Sequence, residues 1–384
     1  MIIKNANIVL EDKIIKNGSI EIENSLIKNI SESVLNGDEV IDANGQFVLP
    51  GFIDMHGHGG YGIDHNDFEL DKFDNYRKKV TKEGVTSYLH STVTMSNEQI
   101  NKSFPIFSEF MKNQTPNGAT CYGMYMEGPF ISKEKKGAHE PTLLQNPDPK
   151  VFDAYNKLSG NNIKVVVYAP ENSVGNFTEH LSKQGVIPST GHTTVNAMQF
   201  KEFINKGSNN VTHLFNAMTG VDHYNPGLVV GAMNDKRVMC ELITDGIHVH
   251  PETLKMAYNN IGPNRLIIIT DSMNAKGLPD GDYFLGPLAV IKKGMKVTLS
   301  DGKTLAAAGA TYDHNVRTMA SAIGLTTNDL SILIKMTSIN AAKHLGIFDK
   351  TGSITIGKKA DLVFVNDKLE VQKTIANGKV EFTK

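Results

Sequence analysis

Leu49-Pro50-Gly51-Phe52-Ile53-Asp54-Met55-His56-Gly57-His58 opens a series of short apolar runs, each leading into polar residues able to do chemistry. Such a run, bounded by small and polar residues, reads as a buried strand that stops at a functional loop. The pattern recurs at Val85 to Leu89, Gly123 to Met126, Lys164 to Tyr168, Val186 to Ser189, Asn210 to Thr212, Met239 to Thr244 and Arg265 to Thr270, with helical stretches after most runs. Counting Gly51 to Met55, eight such runs predict an α/β fold, a (β/α)8 TIM-like barrel whose strand C-termini converge on one face. The residues expected at that face are His56, His58, His90, Glu127, Asn172, His192, His213, His248 and Asp271.

The flanks read differently. Ile2 to Val9, Lys13 to Ile15, Ser19 to Glu23 and Leu26 to Ile30 look like short strands separated by Asn, Gly and Asp turn signals. Gly352 to Gly357, Asp361 to Val365 and Lys373 to Val380 look like strands as well, the last folded at Asn377-Gly378 into a hairpin. Residues 1–50 and 345–384 are therefore expected to form one small β-sandwich, and residues 51–344 the barrel domain.

Composition narrows the function class. With 40% hydrophobic and 21% charged residues, the 384-residue chain can bury a substantial core. A net charge of -2 gives no bulk attraction to nucleic acid or anionic lipid, so neither is expected as a partner. No apolar run approaches the roughly 18 residues that would span a bilayer. Cys121 and Cys240 read as buried thiols in a reducing compartment, and the expected location is the cytoplasm.

His56 and His58 stand two apart, so in an extended segment both can approach one metal ion, and Gly57, Gly59 and Gly60 let the backbone come close. A lone His-x-His is weak, and a surface or core histidine pair explains most such matches. Glu127 ends an apolar strand before Gly128-Pro129-Phe130, where a helix-start carboxylate is the bland alternative. His192 and His213, taken singly, read as satisfied core histidines. Together with Glu127 they offer nitrogen and oxygen ligands from three strands, the number expected of an open catalytic site. His56 and His58 then complete a second site, and the number of ions, one or two, is left open. Zn is the expected divalent metal, with Fe, Mn and Co tolerated by the same donors. Asp271 follows four aliphatic residues and Thr270, and is the expected general base; a helix cap is the competing reading.

These blocks together resemble the amidohydrolase superfamily, and within it the N-acetylglucosamine-6-phosphate deacetylase family. Glu127-Gly128-Pro129-Phe130 and Thr212-His213-Leu214-Phe215-Asn216-Ala217-Met218 carry the closer likeness; Pro50 to Gly60, Lys136 to His139, Gly191 to Thr193, Asp245 to His248 and Thr270 to Met273 fit the wider superfamily. The resemblance implies a metal held by Glu127, His192 and His213, and a homodimer. It also implies a small amino-sugar substrate contacted by Ala138, His139, Asn216, Ala217 and His248. The implied reaction is hydrolysis of an acetamide, releasing acetate from N-acetylglucosamine 6-phosphate, with Asp271 as base then acid and His248 stabilising the oxyanion.

Two departures bear on the substrate. The family places an arginine that binds the sugar phosphate where this chain has Tyr224, in His223-Tyr224-Asn225-Pro226-Gly227. Tyrosine brings a ring suited to stacking on a sugar face, so Tyr224 is taken as a substrate contact. Ala306 to His314 also departs from the family segment lining the sugar site. Lys135, Lys136, His223 and His314 are candidates to replace the guanidinium. The rival readings are a deacetylase for N-acetylgalactosamine 6-phosphate or an unphosphorylated N-acetyl sugar, another amidohydrolase such as a dihydroorotase or aminoacylase, and, remotely, a non-catalytic sugar-binding barrel. Decay to the last would be expected to strike ligands or base first, and all of these are present.

Overall fold

The structure, a computed structural model, describes all 384 residues. Eight parallel barrel strands run Phe52–Asp54, Val85–Thr92, Thr120–Glu127, Ile163–Tyr168, Ile187–Thr190, Asn210–Val211, Met239–Ile243 and Leu266–Ile269, each beside its neighbours in chain order. The seam between first and eighth strands closes just past their ends. There the Asp271 amide donates to His56 O at 2.8 Å and the His58 amide to Ser272 O at 2.6 Å. The buried Asp54 carboxylate reinforces it, accepting from the Thr270 hydroxyl at 2.6 Å and the Thr270 amide at 3.2 Å. Asp271 is thus held by the closure of the barrel itself.

A helix follows each strand, packed outside the barrel, and local sequence explains where several begin. Ser96 with Gln99, and Asn196 with Gln199, form capping boxes at Asn97–Asn113 and Ala197–Asn205. Asp148 caps Pro149–Leu158, with proline in the first turn where its missing N–H costs nothing. Inside the barrel, Ile53, Leu89, Tyr125, Val165, Val167, Ile243, Ile267 and Ile269 pack in a separate cluster from the larger core between strands and helices.

Both chain ends build one mixed eight-stranded sheet, as expected of the small β-sandwich. Leu362–Val365 pairs antiparallel with Phe47–Pro50, which runs directly into the first barrel strand. Asn377 and Gly378, with φ of 51° and 74°, form the two-residue turn between Val371–Ala376 and Lys379–Thr383. Positive φ at both positions is what a type I′ hairpin requires.

Three expectations are corrected. Lys13 to Ile15 and Ser19 to Glu23 belong to one continuous strand, Ile14–Glu23, because its partner spans the turn signal between them. Gly352 to Gly357 is not a strand but a run of turns and bends, with Gly352 and Gly357 both at positive φ. His90 does not face the barrel mouth. On its strand Leu89 points inward, so alternation sends His90 outward, where it stacks on His65 at 4.1 Å and meets Phe73 and Phe107. Burial pushes its pKa down to about 3.

An antiparallel sheet of three strands, Gly281–Leu285, Leu288–Lys293 and Lys296–Leu299, is inserted between the eighth strand and the helix Tyr312–Ile323. It packs Leu285, Val290 and Val297 on Val93 and Met273, at the rim of the barrel.

Candidate metal centre and active site

Glu127, at the end of the third strand, is the hub. Its Oε1 lies 3.0 Å from His213 Nε2 and 3.2 Å from His192 Nε2, and those nitrogens are 3.0 Å apart. Its Oε2 faces the other way, 3.1 Å from His58 Nε2 and 3.6 Å from His56 Nε2, themselves 3.3 Å apart. Asp271 Oδ1 stands 3.1 Å from His58 Nε2 and 3.8 Å from His56 Nε2. One carboxylate therefore divides two imidazole pairs, with a second carboxylate over one of them.

Backbone geometry produces this convergence. His192, His213 and Asp271 have φ of 47°, 29° and 49°, a region that residues with a side chain seldom enter. Each lies two residues past the end of its strand, where a left-handed turn swings the side chain into the mouth.

The donor chemistry fits a divalent cation. His192 Nδ1 donates to Lys135 O at 2.7 Å, and His56 Nδ1 to Glu241 Oε2 at 3.0 Å, so the Nε2 atoms of the neutral rings carry lone pairs. Lone pairs facing one another and a carboxylate oxygen at such distances repel unless a proton or a cation lies among them. Burial holds His192 down to about 4 despite Glu127, so His192 takes up no extra proton near neutrality. On the other side, burial is outweighed by Asp271 and Glu127, which raise His58 to about 9 and His56 well above its ordinary value. Without a cation, protons on these rings supply the positive charge that Glu127 and Asp271 demand. Burial likewise opposes the charge on both acids, and the surrounding histidines overcome it, holding Glu127 well below the usual carboxylate range and Asp271 below it.

A cavity of about 370 Å³ opens over this cluster. It is lined by His58, Glu127, His192, His213 and Asp271, and by Ala138, His139, Asn216, Ala217 and His248. His56 lies just beneath, fully buried. His139 Nδ1 is 2.8 Å from the Thr94 hydroxyl, and its Nε2 is 3.6 Å from Glu127. His248 Nδ1 bonds Asp245 Oδ2 at 2.8 Å, and Asp245 Oδ1 accepts from the Ile247 and His248 amides. Burial would lower the His248 pKa, but Asp245 outweighs it and raises the imidazole above its ordinary value.

An expected substrate contact and an expected face residue lie outside this cavity. Tyr224 is 89% exposed in the loop after Met218 and does not line the cavity of its own chain. Asn172 closes a short turn, Pro170–Asn172, and lines a separate surface depression with Ile131 and Leu144.

Sequence reading passed over Glu241 and Asp245, which orient His56 and His248. The available signals were an acid inside the apolar run Met239 to Thr244 and an acid three residues before His248. The inserted sheet and its connection bring Leu285, Thr304, Leu305 and Ala307 to the cavity wall. Ala308, in the departing Ala306 to His314 segment, donates its amide to Asp271 O at 2.7 Å.

The profile described as the amidohydrolase family matches residues 47–380. The chain is 37% identical over 338 residues to the N-acetylglucosamine-6-phosphate deacetylase of Bacillus subtilis (strain 168), covering 87% of this chain and 84% of that one. It is 33% identical over 343 residues to the N-acetylgalactosamine-6-phosphate deacetylase of Escherichia coli O157:H7, covering 89% of each. Among solved structures, a mutant N-acetyl-D-glucosamine-6-phosphate deacetylase from Mycobacterium smegmatis, in complex with N-acetyl-D-glucosamine-6-phosphate, superposes with a TM-score of 0.93 at 28% identity, covering 100% of this chain and 99% of that one. With the barrel, the terminal sheet and the Glu127-centred cluster in place, these likenesses make the chain a member of the amidohydrolase family, in its N-acetylglucosamine-6-phosphate deacetylase branch.

Proposed function

We propose that this protein is a metal-dependent deacetylase that hydrolyses the acetamide of N-acetylglucosamine 6-phosphate to glucosamine 6-phosphate and acetate. The observation that carries the reading is the Glu127 carboxylate split between two imidazole pairs, with Asp271 beside it under an open cavity. Glu127, His192 and His213 would hold a divalent metal, Zn in the first instance, and His56 and His58 a second ion where two bind. Such a cation lowers the pKa of water into the neutral range and polarises an amide carbonyl.

The chain's own groups do the rest. Asp271, kept ionised by its neighbours, takes the proton of the attacking water and returns it to the amine nitrogen as the C–N bond breaks. His248, whose protonated form Asp245 favours, donates its Nε2–H to the carbonyl oxygen as negative charge develops there. Ala138, His139, Asn216 and Ala217 form the wall against which the sugar is held.

Of the four candidates to replace the missing arginine, Lys135 has the best support: it is the one lysine on the cavity wall, which carries no arginine. Lys136 Nζ turns back to Gly137 O at 3.3 Å, His223 is exposed against Tyr224, and His314 bonds Asp245 O at 3.2 Å. Acetate release from phosphorylated and plain forms of N-acetylglucosamine and N-acetylgalactosamine tests the assignment. The phosphorylated glucosamine derivative should give the highest kcat/KM; equal or better turnover of a plain sugar defeats the substrate reading.

The same reading includes a homodimer and a cytoplasmic location. Val221 and Tyr224 are 66% and 89% exposed in the loop after Met218, and Met198 is 77% exposed on the preceding helix, Ala197–Asn205, a set suited to burial against a second copy. Light scattering should return twice the chain mass. The two cysteines are buried and unpaired, as expected in a reducing compartment.

A further inference from the structure

We propose that Glu241 is a positioning residue for the cation cluster: it fixes which nitrogen of His56 faces the cations, and its charge tightens their binding on the His56–His58 side. The inference rests on the metal-dependent reading above.

Glu241 lies within the seventh barrel strand, Met239–Ile243, and is wholly buried. Each hydrogen bond it makes is one it accepts. Oε1 takes Asn210 Nδ2 at 2.7 Å and Oε2 takes His56 Nδ1 at 3.0 Å, while the Tyr125 hydroxyl lies 3.0–3.1 Å from both oxygens and the Thr212 hydroxyl 3.1 Å from Oε2. No lysine or arginine pairs with it; its one ionisable partner at ion-pair distance is His56.

A buried carboxylate with no lysine or arginine beside it is costly, and the interior cluster of the barrel is apolar. The residue is therefore expensive as a mere core filler. Its consequences at the site are specific. An acceptor on Nδ1 forces the proton of neutral His56 onto that atom and leaves Nε2 as a lone pair toward His58 and Glu127. Tyr125 stacks on the same ring at 4.1 Å, so the ring plane is held as well as its tautomer. One imidazole separates Glu241 from the cation cluster, and an ionised carboxylate at that remove favours positive charge there.

Glu241→Gln keeps the volume and still accepts from His56 through its one oxygen; its amide takes the place of Oε1, where Asn210 turns its own amide so that the otherwise unpartnered Oδ1 accepts. It removes the charge and reverses one hydrogen bond. Chelated full-length protein, wild type and variant, is titrated with Zn2+ against a chromophoric chelator, with thermal melts of the chelated forms alongside. A Zn2+ dissociation constant about 10–100-fold weaker in the variant, at a melting temperature no lower than wild type, is expected. Unchanged constants, whether wild type holds one ion or two, overturn the role of Glu241 and leave the enzyme reading intact. A wild type that takes up no Zn2+ brings down the metal-dependent reading itself. Should the variant fail to fold, long-range proton–nitrogen NMR of Zn2+-loaded wild type decides: His56 protonated on Nδ1 is expected, and protonation on Nε2 overturns the proposal.

Discussion

Among single residues, Asp271 and Lys135 give the sharpest tests. Asp271→Asn keeps the shape of the side chain and removes its basicity. It should lower kcat about 10²–10⁴-fold, the range of positioned acid–base catalysis, with KM moving far less. A variant retaining more than a tenth of wild-type kcat would take the base role away from Asp271. Lys135→Met should raise KM for the phosphorylated sugar about tenfold, the scale of one charge-assisted hydrogen bond, and leave turnover of the plain sugar unchanged. A proportional loss on both sugars would point instead to the Lys135 carbonyl and its bond to His192. Glu127, His192, His213 and Asp271 were visible in sequence because each follows a strand-like run, and barrel strands end on one face. Glu241 was harder, because its donors are brought beside it by folding, such as His56, which precedes it by 185 residues; Asp245 bonds within three residues, and its spacing to His248 was a local signal.

Among elements, the loop after the eighth strand is tied to the segment after the first by a buried ion pair. Lys276 Nζ lies 2.8 Å from Glu83 Oε1, both side chains almost wholly shielded. Glu83 also accepts from the Tyr61 hydroxyl and the Tyr312 amide, each at 2.6 Å. A Cβ on Gly60 would stand 2.5 Å from Lys276 Cε, so a larger residue there must push the end of the lysine from its place beside Glu83. Lys276→Met leaves Glu83 as an uncompensated buried charge and should cost about 3–5 kcal/mol in denaturant unfolding. A loss below about 1 kcal/mol would show that the tyrosine and backbone donors suffice. The eight strand runs and the helices between them were legible from apolar periodicity. The outward phase of His90 was not, because alternation specifies two faces without saying which one meets the axis. The inserted three-stranded sheet also escaped, its pattern lying outside the barrel repeat.

For the whole molecule, the balance of charge at the barrel mouth links cation binding to stability. In chelated protein His58 carries a proton with its pKa raised from 6.5 to about 9, against the pull of burial and because of Asp271 and Glu127. A raised imidazole contributes stability that is fully present below its unfolded value and lost as pH rises through the folded one. Chelated protein should therefore lose melting temperature between about pH 6.5 and 9, while the loaded form, whose positive charge comes from the cation, falls less. Paired melting profiles across that interval check this; a gap that stays constant or narrows with rising pH contradicts it. At this scale the division of information is clear. Apolar runs, turn residues and the polar residues after each strand are local properties, so the sequence alone specified a barrel, a terminal sheet and a cluster of ligand-type side chains on one face. Tertiary structure alone decided how Glu127 divides its two oxygens, that Glu241 orients His56, and that Tyr224 stands outside the cavity, because each depends on distances between segments far apart in the chain.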